Sequence, residues 1–387
     1  MAYVVQTGVI GAAIMPRVTG DRQSLEEILY EVVQRALRDA GLVIEDIDGI
    51  VVAANDQYDG RAISVMAASG SVGGVDRDIL STPSAGEHAF VMGTLRVATG
   101  QYRTQLVVAW SPTEAGSLPE VQRLAADPYF HRRLPLDEMA AHAMQANALL
   151  ATMPALAELA ARVSEKNRTN GAAAYPDLAG APLSARAPWP LTPGTAPISG
   201  AVAMVLASEA FAAERGVAMA RIAGMGWATE PAFLGDRDLT TAPALEAAAH
   251  QAYGEAGVTT PLDAFDVAEV ADATPYQELL AYEALGLSPR AGWAKHIEGG
   301  TFGPAGTLPV NLSGGATCLN PVYCTGLIRI AEVARQVLGR AGPHQRAHVE
   351  TGLAHAASGD AMQYNTVVVL RRTPAPTSSS TNQGAAA

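Results

Sequence analysis

The residues best suited to chemistry lie close together near the C-terminus, in a glycine-rich stretch that leads into a helix. This stretch, NLSGGATCLNPVYCTG (311–326), holds both cysteines of the chain and one tyrosine, but no histidine, carboxylate or lysine. Cys324 comes next to the predicted helix start, where a thiolate is stabilised and could act as a nucleophile. Small cysteines in packing positions are commonly buried and inert, however, and we favour that interpretation for this thiol.

Two other side chains near this end of the chain could transfer protons. Tyr323 lies in the short turn NPVYCTG, and His355 lies in the stretch GLAHAASG (352–359). A phenol and an imidazole can donate or remove a proton at a β-hydroxyl group or an α-carbon. The alternatives are a buried tyrosine ring that only fills space and a loop histidine whose hydrogen bonds are purely structural.

The composition of the chain narrows the class of protein. Its 387 residues suffice for two packed units, at roughly 150 residues per domain. A content of 49% hydrophobic and 17% charged residues is typical of a globular protein with a large core. The net charge of −12, from 26 Lys+Arg against 38 Asp+Glu, does not fit a nucleic-acid-binding protein.

The N-terminus and the cysteine count give an expectation about location. The segment MAYVVQTGVIGAAIMPR has no basic leader and no run of about 18 apolar residues. We therefore predict a first core strand rather than a signal peptide or a membrane span. Two cysteines are too few for a disulfide framework and lack partners for a zinc site. We expect a cytoplasmic protein without a bound metal.

The elements that would position the chemical groups occur in the same order twice. Residues 24–56 and 242–273 each read as a helix, a glycine stop, a short acidic turn and an apolar strand. Residues 86–110 and 326–352 each read as a helix, a glycine break and an apolar strand. We therefore predict an α/β protein of two duplicated halves, each with a largely parallel sheet. Coincidental α/β patterning is the alternative.

A long segment interrupts the first half. We predict an N-terminal half at 1–113 and 191–217, an insertion at 114–190, a C-terminal half at 218–372 and a disordered low-complexity tail at 373–387. Long insertions in α/β folds usually cover active sites or bind substrate. The insertion also concentrates positive charge, although solvated helix faces are the alternative for its basic residues, Arg132, Arg133, Lys166 and Arg168.

Several stretches together resemble the thiolase superfamily, most closely its sterol-carrier-protein thiolase and lipid-transfer-protein branch. DVAEVADATPYQELLAYEALGLSPRAGW (266–293) resembles the family's strand, HDCF-type loop and following helix. GTLPVNLSGG, followed by NPVYCTGLIRIAEVARQVLG, resembles the Asn-x-Ser-Gly-Gly and Gly-His-Pro loops and their helix. MQANALLATMPALAELAARVSEKNRTNGAAAYP resembles the loop domain, and PISGAVAMVLASE the strand that closes the N-terminal half.

The resemblance implies a fold and a substrate class. The implied fold is the thiolase fold: two α/β halves of layered mixed sheets and helices, buried central helices and a loop-domain insertion, assembled as a homodimer. The implied substrate is an acyl-CoA thioester, with coenzyme A as part of the substrate and no permanently bound cofactor. Related lipid-transfer-type thiolases work with a small OB-fold/zinc-ribbon protein, so such a partner is also implied. Coenzyme A contacts would fall to Ser313, Gly314, Gly315 and Lys166.

The family's catalytic positions are altered in this sequence. A thiolase needs a cysteine nucleophile before its first central helix, but STPSAGEHAFVMG (81–93) has none, and Pro83 or Ser84 falls there. His88 is the only local base for such a serine, and a packed helix histidine is the preferred interpretation. The histidine of the Gly-His-Pro loop corresponds to Asn320, which has no proton to exchange near neutral pH.

Other positions of the resemblance are retained or replaced by new groups. The histidine of the HDCF-type loop corresponds to Ala271, although Asp272 remains. Tyr323 lies close to where steroid side-chain aldolases of the superfamily carry a functional tyrosine. His355 lies in the last catalytic loop, so we expect its side chain to converge with that of Tyr323. Cysteine-based thiolysis is therefore disfavoured. Non-covalent retro-aldol cleavage of a β-hydroxyacyl-CoA is the sharper hypothesis, and a non-catalytic acyl-CoA-binding or scaffold subunit is the alternative.

Overall fold

One mixed sheet runs through the described part of the chain. The computed structural model describes residues 5–16, 23–60, 63–83, 85–111, 117–134, 136–178 and 198–375. Within them the sheet has nine strands in the order β3-β2-β4-β5-β1-β6-β9-β8-β7. The strands are β1 (Thr7–Pro16), β2 (Gly49–Ala54), β3 (Asp78–Pro83), β4 (Thr104–Ser111), β5 (Gly200–Ser208), β6 (Met219–Thr229), β7 (Val267–Glu269), β8 (Thr351–Ser358) and β9 (Tyr364–Thr373).

The sheet has the same strand order in both halves, as the repeat predicts. In the first half β2 pairs in parallel with β3 and β4, β4 is antiparallel to β5, and β5 to β1. In the second half β7 is parallel to β8, β8 is antiparallel to β9, and β9 to β6. A parallel bridge from Ala268 to Val310 takes the place of β3. The prediction of two duplicated α/β halves is therefore confirmed.

Each half is mixed rather than largely parallel. The strands β8 and β9 are joined by a turn at residues 359–363, and so short a connection can only join antiparallel strands. The strands β1 and β6 pair antiparallel at the boundary between the halves, where Gly8 lies opposite Arg221.

The helices lie in layers on both sides of the sheet. They are α1 (Leu25–Ala40), α2 (Asp56–Asp59), α3 (Ser64–Ala68), α4 (Gly86–Ala98), α5 (Leu118–Ala125), α6 (Glu138–Thr152), α7 (Leu156–Ala174), α8 (Glu209–Arg215), α9 (Pro243–Ala256), α10 (Pro261–Ala264), α11 (Pro275–Ala284), α12 (Trp293–Glu298), α13 (Gly315–Cys318) and α14 (Thr325–Leu338). Helices α4 and α14 pack against each other in the buried central layer. Helix α1 covers the outer face of the first half, and α9 and α11 cover that of the second.

Local sequence signals determine where the outer helix α1 begins and ends. The Ser24 hydroxyl accepts from the Glu27 amide at 3.2 Å, and the Glu27 carboxylate accepts from the Ser24 amide at 2.7 Å, which completes the predicted capping box. Gly41 ends the helix in the left-handed region at φ 69°.

The insertion is described in part. Helices α5, α6 and α7 belong to it, and α7 packs against α11, α12 and α13 of the second half. The Pro/Gly-rich segment at 179–197 and the end of the tail at 376–387 lie outside the described residues. The domain boundaries stay predictions. No helix in the described part of the chain is long and apolar enough to cross a membrane.

Candidate active site

The N-termini of the two central helices meet at one point. The Gly86 amide, which opens α4, donates to the Tyr323 carbonyl at 2.7 Å, just before α14. A Cβ atom at Gly86 would lie 2.7 Å from Leu327 Cβ, so only glycine allows this approach. A Cβ atom at Gly326 would contact the Glu87 carboxylate and would lie 2.9 Å from Ala356 Cβ on β8. The segments that carry the family's catalytic loops therefore converge.

The backbone at this meeting point is strained at two residues that are not glycine. Ala85, at the start of α4, has φ 31°, and Tyr323 has φ 68°. Non-glycine residues with positive φ cluster at functional sites because the surrounding structure must hold them there. This geometry places the Tyr323 ring edge-on against Tyr58, with ring centroids 5.6 Å apart.

The half-buried Tyr323 phenol is surrounded by groups that keep it protonated. Burial raises its pKa, and the neighbouring Glu138 carboxylate and the Tyr58 and Asp59 groups raise it further. A phenol in such surroundings does not ionise near neutral pH. Its chemistry therefore suits a hydrogen-bond or proton donor better than a base.

Three carboxylates interact electrostatically near the start of α4. We call these residues, Glu87, Glu138 and Asp360, the acidic pocket. Glu87 is only 2% exposed, and its Oε1 has no hydrogen-bond partner within the part of the chain described. Glu138 opens α6, and burial together with the Asp360 and Glu87 charges raises its pKa to about 7. Burial likewise raises the pKa of Asp360, in the β8–β9 turn. With this pKa, the Glu138 carboxylate can both hold and release a proton near neutral pH.

Sequence reasoning missed the acidic pocket. Acidic residues in the first turn of a helix usually just complement the helix dipole, as Glu87 and Glu138 do by position. The one available signal was that Glu87 directly follows the glycine of a loop that lacks its nucleophile. Nothing local to Glu138 in the insertion indicates that it reaches the central helices.

His355 does not converge with Tyr323. On β8 the Ala356 side chain points towards Gly326 on α14, and Ala354 packs in the same central layer. Side chains alternate along a strand, so His355 faces the opposite side, where Leu353 packs in the outer layer. The expected meeting of the two side chains is therefore not found.

The surroundings of His355 keep it uncharged. It is fully buried, and its Nε2 donates to Asn365 Oδ1 at 3.1 Å, while its Nδ1 lacks a partner among the described residues. Burial lowers its pKa to about 4. A catalytic role for this histidine stays a prediction without support from its position.

The other sequence-predicted residues at the loops lie as follows. Ser84 is outside the described residues. His88 is half-buried, with its ring edge-on to Tyr364 at 5.5 Å. The Asn320 carbonyl accepts from the Ile198 amide at 3.0 Å, which ties the altered Gly-His-Pro loop to the strand closing the first half.

Both thiols are poor nucleophiles in their surroundings. Burial raises the pKa of the fully buried Cys324 well above its usual value, and the Asp59 and Glu87 charges add to this. Burial also raises the pKa of Cys318 to about 11. These surroundings support the inert interpretation.

Asp272 and Lys166 lie in a buried polar network rather than at the meeting point of the helices. Asn167 on α7 donates to Asp272 at 2.9 Å and to Glu278 at 2.6 Å. The Glu278 carboxylate also accepts from the Lys166 ammonium at 2.7 Å and from the Asn311 amide group at 2.9 Å. Burial and then the Glu278 charge raise the pKa of Asp272. The network fastens the insertion to the second half.

A second buried ion pair, Arg329 with Glu269, holds the Gly-Gly loop. Arg329 on α14 donates to Glu269 at 2.6 Å and to the Ser313 hydroxyl at 2.7 Å. The Ser313 hydroxyl in turn donates to Glu269 at 2.6 Å. Gly315 has φ 65° and leaves no room for a Cβ atom beside Asp272. The predicted coenzyme A contacts of Ser313, Gly314 and Gly315 stay predictions, since these groups serve the loop itself.

Replacing Gly314 should destabilise the protein through packing as well as strain. Gly314 has φ 89°, and a Cβ atom there would lie 2.7 Å from the backbone nitrogen of Gly171 on α7. Gly300 has φ 73° but open space around it. Both alanine variants should suffer about 1–2 kcal/mol of backbone strain. Gly314→Ala should lose about 1–3 kcal/mol more through overpacking. Urea unfolding measures this difference, and equal losses in the two variants would contradict the close approach.

A cavity of about 350 Å³ lies beside α7, away from the acidic pocket. Its walls come from α7, α11, the end of α12 and the following loop, and they include Arg162, Lys166, Tyr282 and Phe302. None of the acidic-pocket residues lines it. The volume is within the range of small-molecule sites.

The matches to known proteins point to the same family. Residues 227–372 match the family "Thiolase C-terminal domain-like". The human "Sterol carrier protein 2" is 33% identical over 163 residues, which are 40% of this chain and 29% of that protein. The "Benzoylsuccinyl-CoA thiolase subunit BbsB" of Thauera aromatica is 31% identical over 170 residues, 43% of this chain and 44% of that protein. The matched segments thus span less than half of these relatives.

The fold is shared over nearly the whole chain. A solved structure described as "Ltp2-ChsH2(DUF35) aldolase" superimposes with a TM-score of 0.76 at 19% identity, covering 96% of this chain and 99% of that one. The family matched by residues 227–372, the partly matched relatives and the shared fold together support the thiolase superfamily, in its branch of sterol-carrier-protein-thiolase-like proteins.

Proposed function

We propose that the protein acts on acyl-CoA thioesters and cleaves a β-hydroxyacyl-CoA by a non-covalent retro-aldol reaction. The observation that carries the proposal is the Tyr323 phenol, kept protonated where α4 and α14 meet, next to the acidic pocket. The aldolase and benzoylsuccinyl-CoA thiolase named among the similar proteins support a coenzyme A ester and carbon–carbon cleavage.

The reaction needs only proton transfer and positioning. A base removes the proton of the β-hydroxyl group, the bond between the α- and β-carbons breaks, and a carbonyl group forms at the β-carbon. The electron pair moves to the α-carbon and the thioester oxygen as an enolate, and a proton returns to the α-carbon. The N-termini of α4 and α14 favour the negative charge of the enolate, and Tyr323 is the nearby donor.

The same proposal includes partners. The protein works as a homodimer and together with a small partner subunit of the OB-fold/zinc-ribbon kind. The second component in the name of the aldolase structure supports the partner. Co-purification of the chain from its own cells, followed by mass spectrometry, tests for it. Recovery of the chain alone under mild conditions argues against the partner.

A non-catalytic acyl-CoA-binding or scaffold subunit is the second candidate. It is favoured by the joint loss of the nucleophile and of the Gly-His-Pro histidine, now Asn320. Incubation of the protein with a β-hydroxyacyl-CoA, with and without candidate partner subunits, distinguishes an enzyme from a binding subunit. An enzyme consumes the ester, whereas a binding subunit returns it unchanged after denaturation and chromatography.

No acyl-enzyme should form in either case. The loop at residues 81–90 has no cysteine, and the pKa of Cys318 and that of Cys324 are both raised. Incubation with acetyl-CoA or longer acyl-CoAs should leave the intact mass of the protein unchanged. A stable acyl adduct mapped to Ser84 would instead indicate a serine-based transferase, and one on either cysteine would restore a thiolase mechanism.

A further inference from the structure

We infer that Glu138, supplied by the insertion, is the base that accepts the β-hydroxyl proton, while Tyr323 acts as a donor. This inference rests on the proposed function and adds to it a division of roles and a catalytic residue outside the two duplicated halves.

The position of Glu138 is held from several sides. Asp137 caps α6 by accepting from the Ala140 amide at 2.8 Å. Gln122 on α5 donates its Nε2 to Glu138 Oε2 at 2.6 Å and accepts from the Glu138 amide at 3.3 Å. The other carboxylate oxygen, Oε1, accepts no hydrogen bond from the residues that the structure describes, which leaves it available to a substrate. A base needs such a fixed direction to take a proton efficiently.

The first turn of α6 packs on the β8–β9 turn. Ala141 forms a small buried cluster with Leu234 and Ala361, the latter in the β8–β9 turn. Arg237 fastens the same turn by donating to the Asp360 carbonyl at 2.7 Å. The Glu138 carboxylate also lies within electrostatic range of Glu87 on α4 and of Tyr323, so the insertion contributes a charged group to the place where the central helices meet.

The charges around Glu138 suit a base that works near neutral pH. The titratable groups that face it are Glu87 from α4, Asp360 from the β8–β9 turn, Asp137 from its own helix and Tyr323 from the start of α14. Burial, followed by the charges of Asp360, Glu87 and Asp137, raises the pKa of Glu138 to about 7. A general base works best when its pKa is close to the working pH.

Tyr323 is the poorer candidate for the base. Its own pKa is raised by burial and by the Glu138 charge, so its phenolate is scarce at neutral pH. In the reaction the β-hydroxyl O–H bond breaks and the proton goes to Glu138. The carbon–carbon bond then breaks, and its electron pair stays with the acyl-CoA fragment, which takes up one proton from solvent at its α-carbon while Glu138 releases the hydroxyl proton to solvent. Atoms and charges balance without an oxidant or a metal.

The test compares Glu138→Gln, Glu138→Asp and the control Glu158→Gln, whose residue is exposed on α7 of the same insertion. The readout is the pH profile of kcat/KM with a β-hydroxyacyl-CoA. In the wild type and the control, the rate should rise with pH through an apparent pKa of about 7, because the base must lose its proton. Glu138→Gln should lose about 10²–10⁴-fold and lack this rise. Glu138→Asp should keep the rise at a lower rate.

The possible results separate the role of Glu138 from the proposed function. Loss of the rise in Glu138→Gln, with rescue in Glu138→Asp, supports the inference. A Glu138→Gln variant that keeps both the wild-type rate and the wild-type pH profile overturns the inference alone. A wild-type protein that cleaves no β-hydroxyacyl-CoA, even with its partner, overturns the proposed function and the inference with it.

Discussion

Tyr323→Phe should lose about 10²–10⁴-fold in turnover of a β-hydroxyacyl-CoA. The variant keeps the ring that packs edge-on against Tyr58 and removes only the hydroxyl group. The half-buried phenol is protonated at neutral pH. The contribution lost in the variant is therefore that of a donor to the thioester oxygen of the enolate. Binding of the ester should be nearly unchanged, because the ring and the helix N-termini remain.

Steady-state kinetics and equilibrium binding of the same ester separate the two effects. The expected result is a fall in kcat with little change in the dissociation constant. Tyr30→Phe is the matched control, since this tyrosine is 59% exposed on α1. A Tyr323→Phe variant with turnover close to the wild type would show that the ring is only structural.

Arg329→Met should lower the free energy of unfolding by about 3–5 kcal/mol. The guanidinium is 1% exposed and its partner Glu269 is fully buried. Removing the arginine leaves a buried carboxylate without its cation and removes a hydrogen bond to Ser313 in the Gly-Gly loop. Breaking a buried pair is more destabilising than never having had one, because the remaining charge is poorly solvated.

The double variant Arg329→Met/Glu269→Gln should therefore recover much of that loss. The control is Arg35→Met, since Arg35 pairs with Glu31 on the exposed surface of α1. This substitution should lower the free energy of unfolding by less than about 1 kcal/mol. Urea unfolding measures all three. A loss in Arg329→Met no larger than in Arg35→Met would contradict the role of the buried pair.

The fold was predictable because the helix and strand patterns repeat in the two halves. The capping box at Ser24 and the order of elements in residues 24–110 are local signals, and they recur in 242–352. The mixed character of the sheet was less visible. It depends on how the chain enters β5 after the insertion and on the short turn before β9.

The side chains of the site were harder to predict than its loops. The resemblance gave the segments that converge, but the direction of His355 depends on the phase of β8, and a shift of one residue turns a side chain to the other face. Glu138 reaches the site from the insertion, so only long-range packing brings it near Tyr323. Asp272 and Lys166 carry suitable groups, yet their partners, Asn167 and Glu278, use them for the buried network.

The most direct test of the account is the product balance of the wild-type protein. A β-hydroxyacyl-CoA is incubated with the protein and its co-purified partner without free coenzyme A, and the products are quantified by chromatography and mass spectrometry. We expect one carbonyl compound and one shortened acyl-CoA in equal amounts. An ester that stays intact would contradict this expectation, and so would a protein that instead cleaves the matching β-ketoacyl-CoA with added free coenzyme A into two acyl-CoA products.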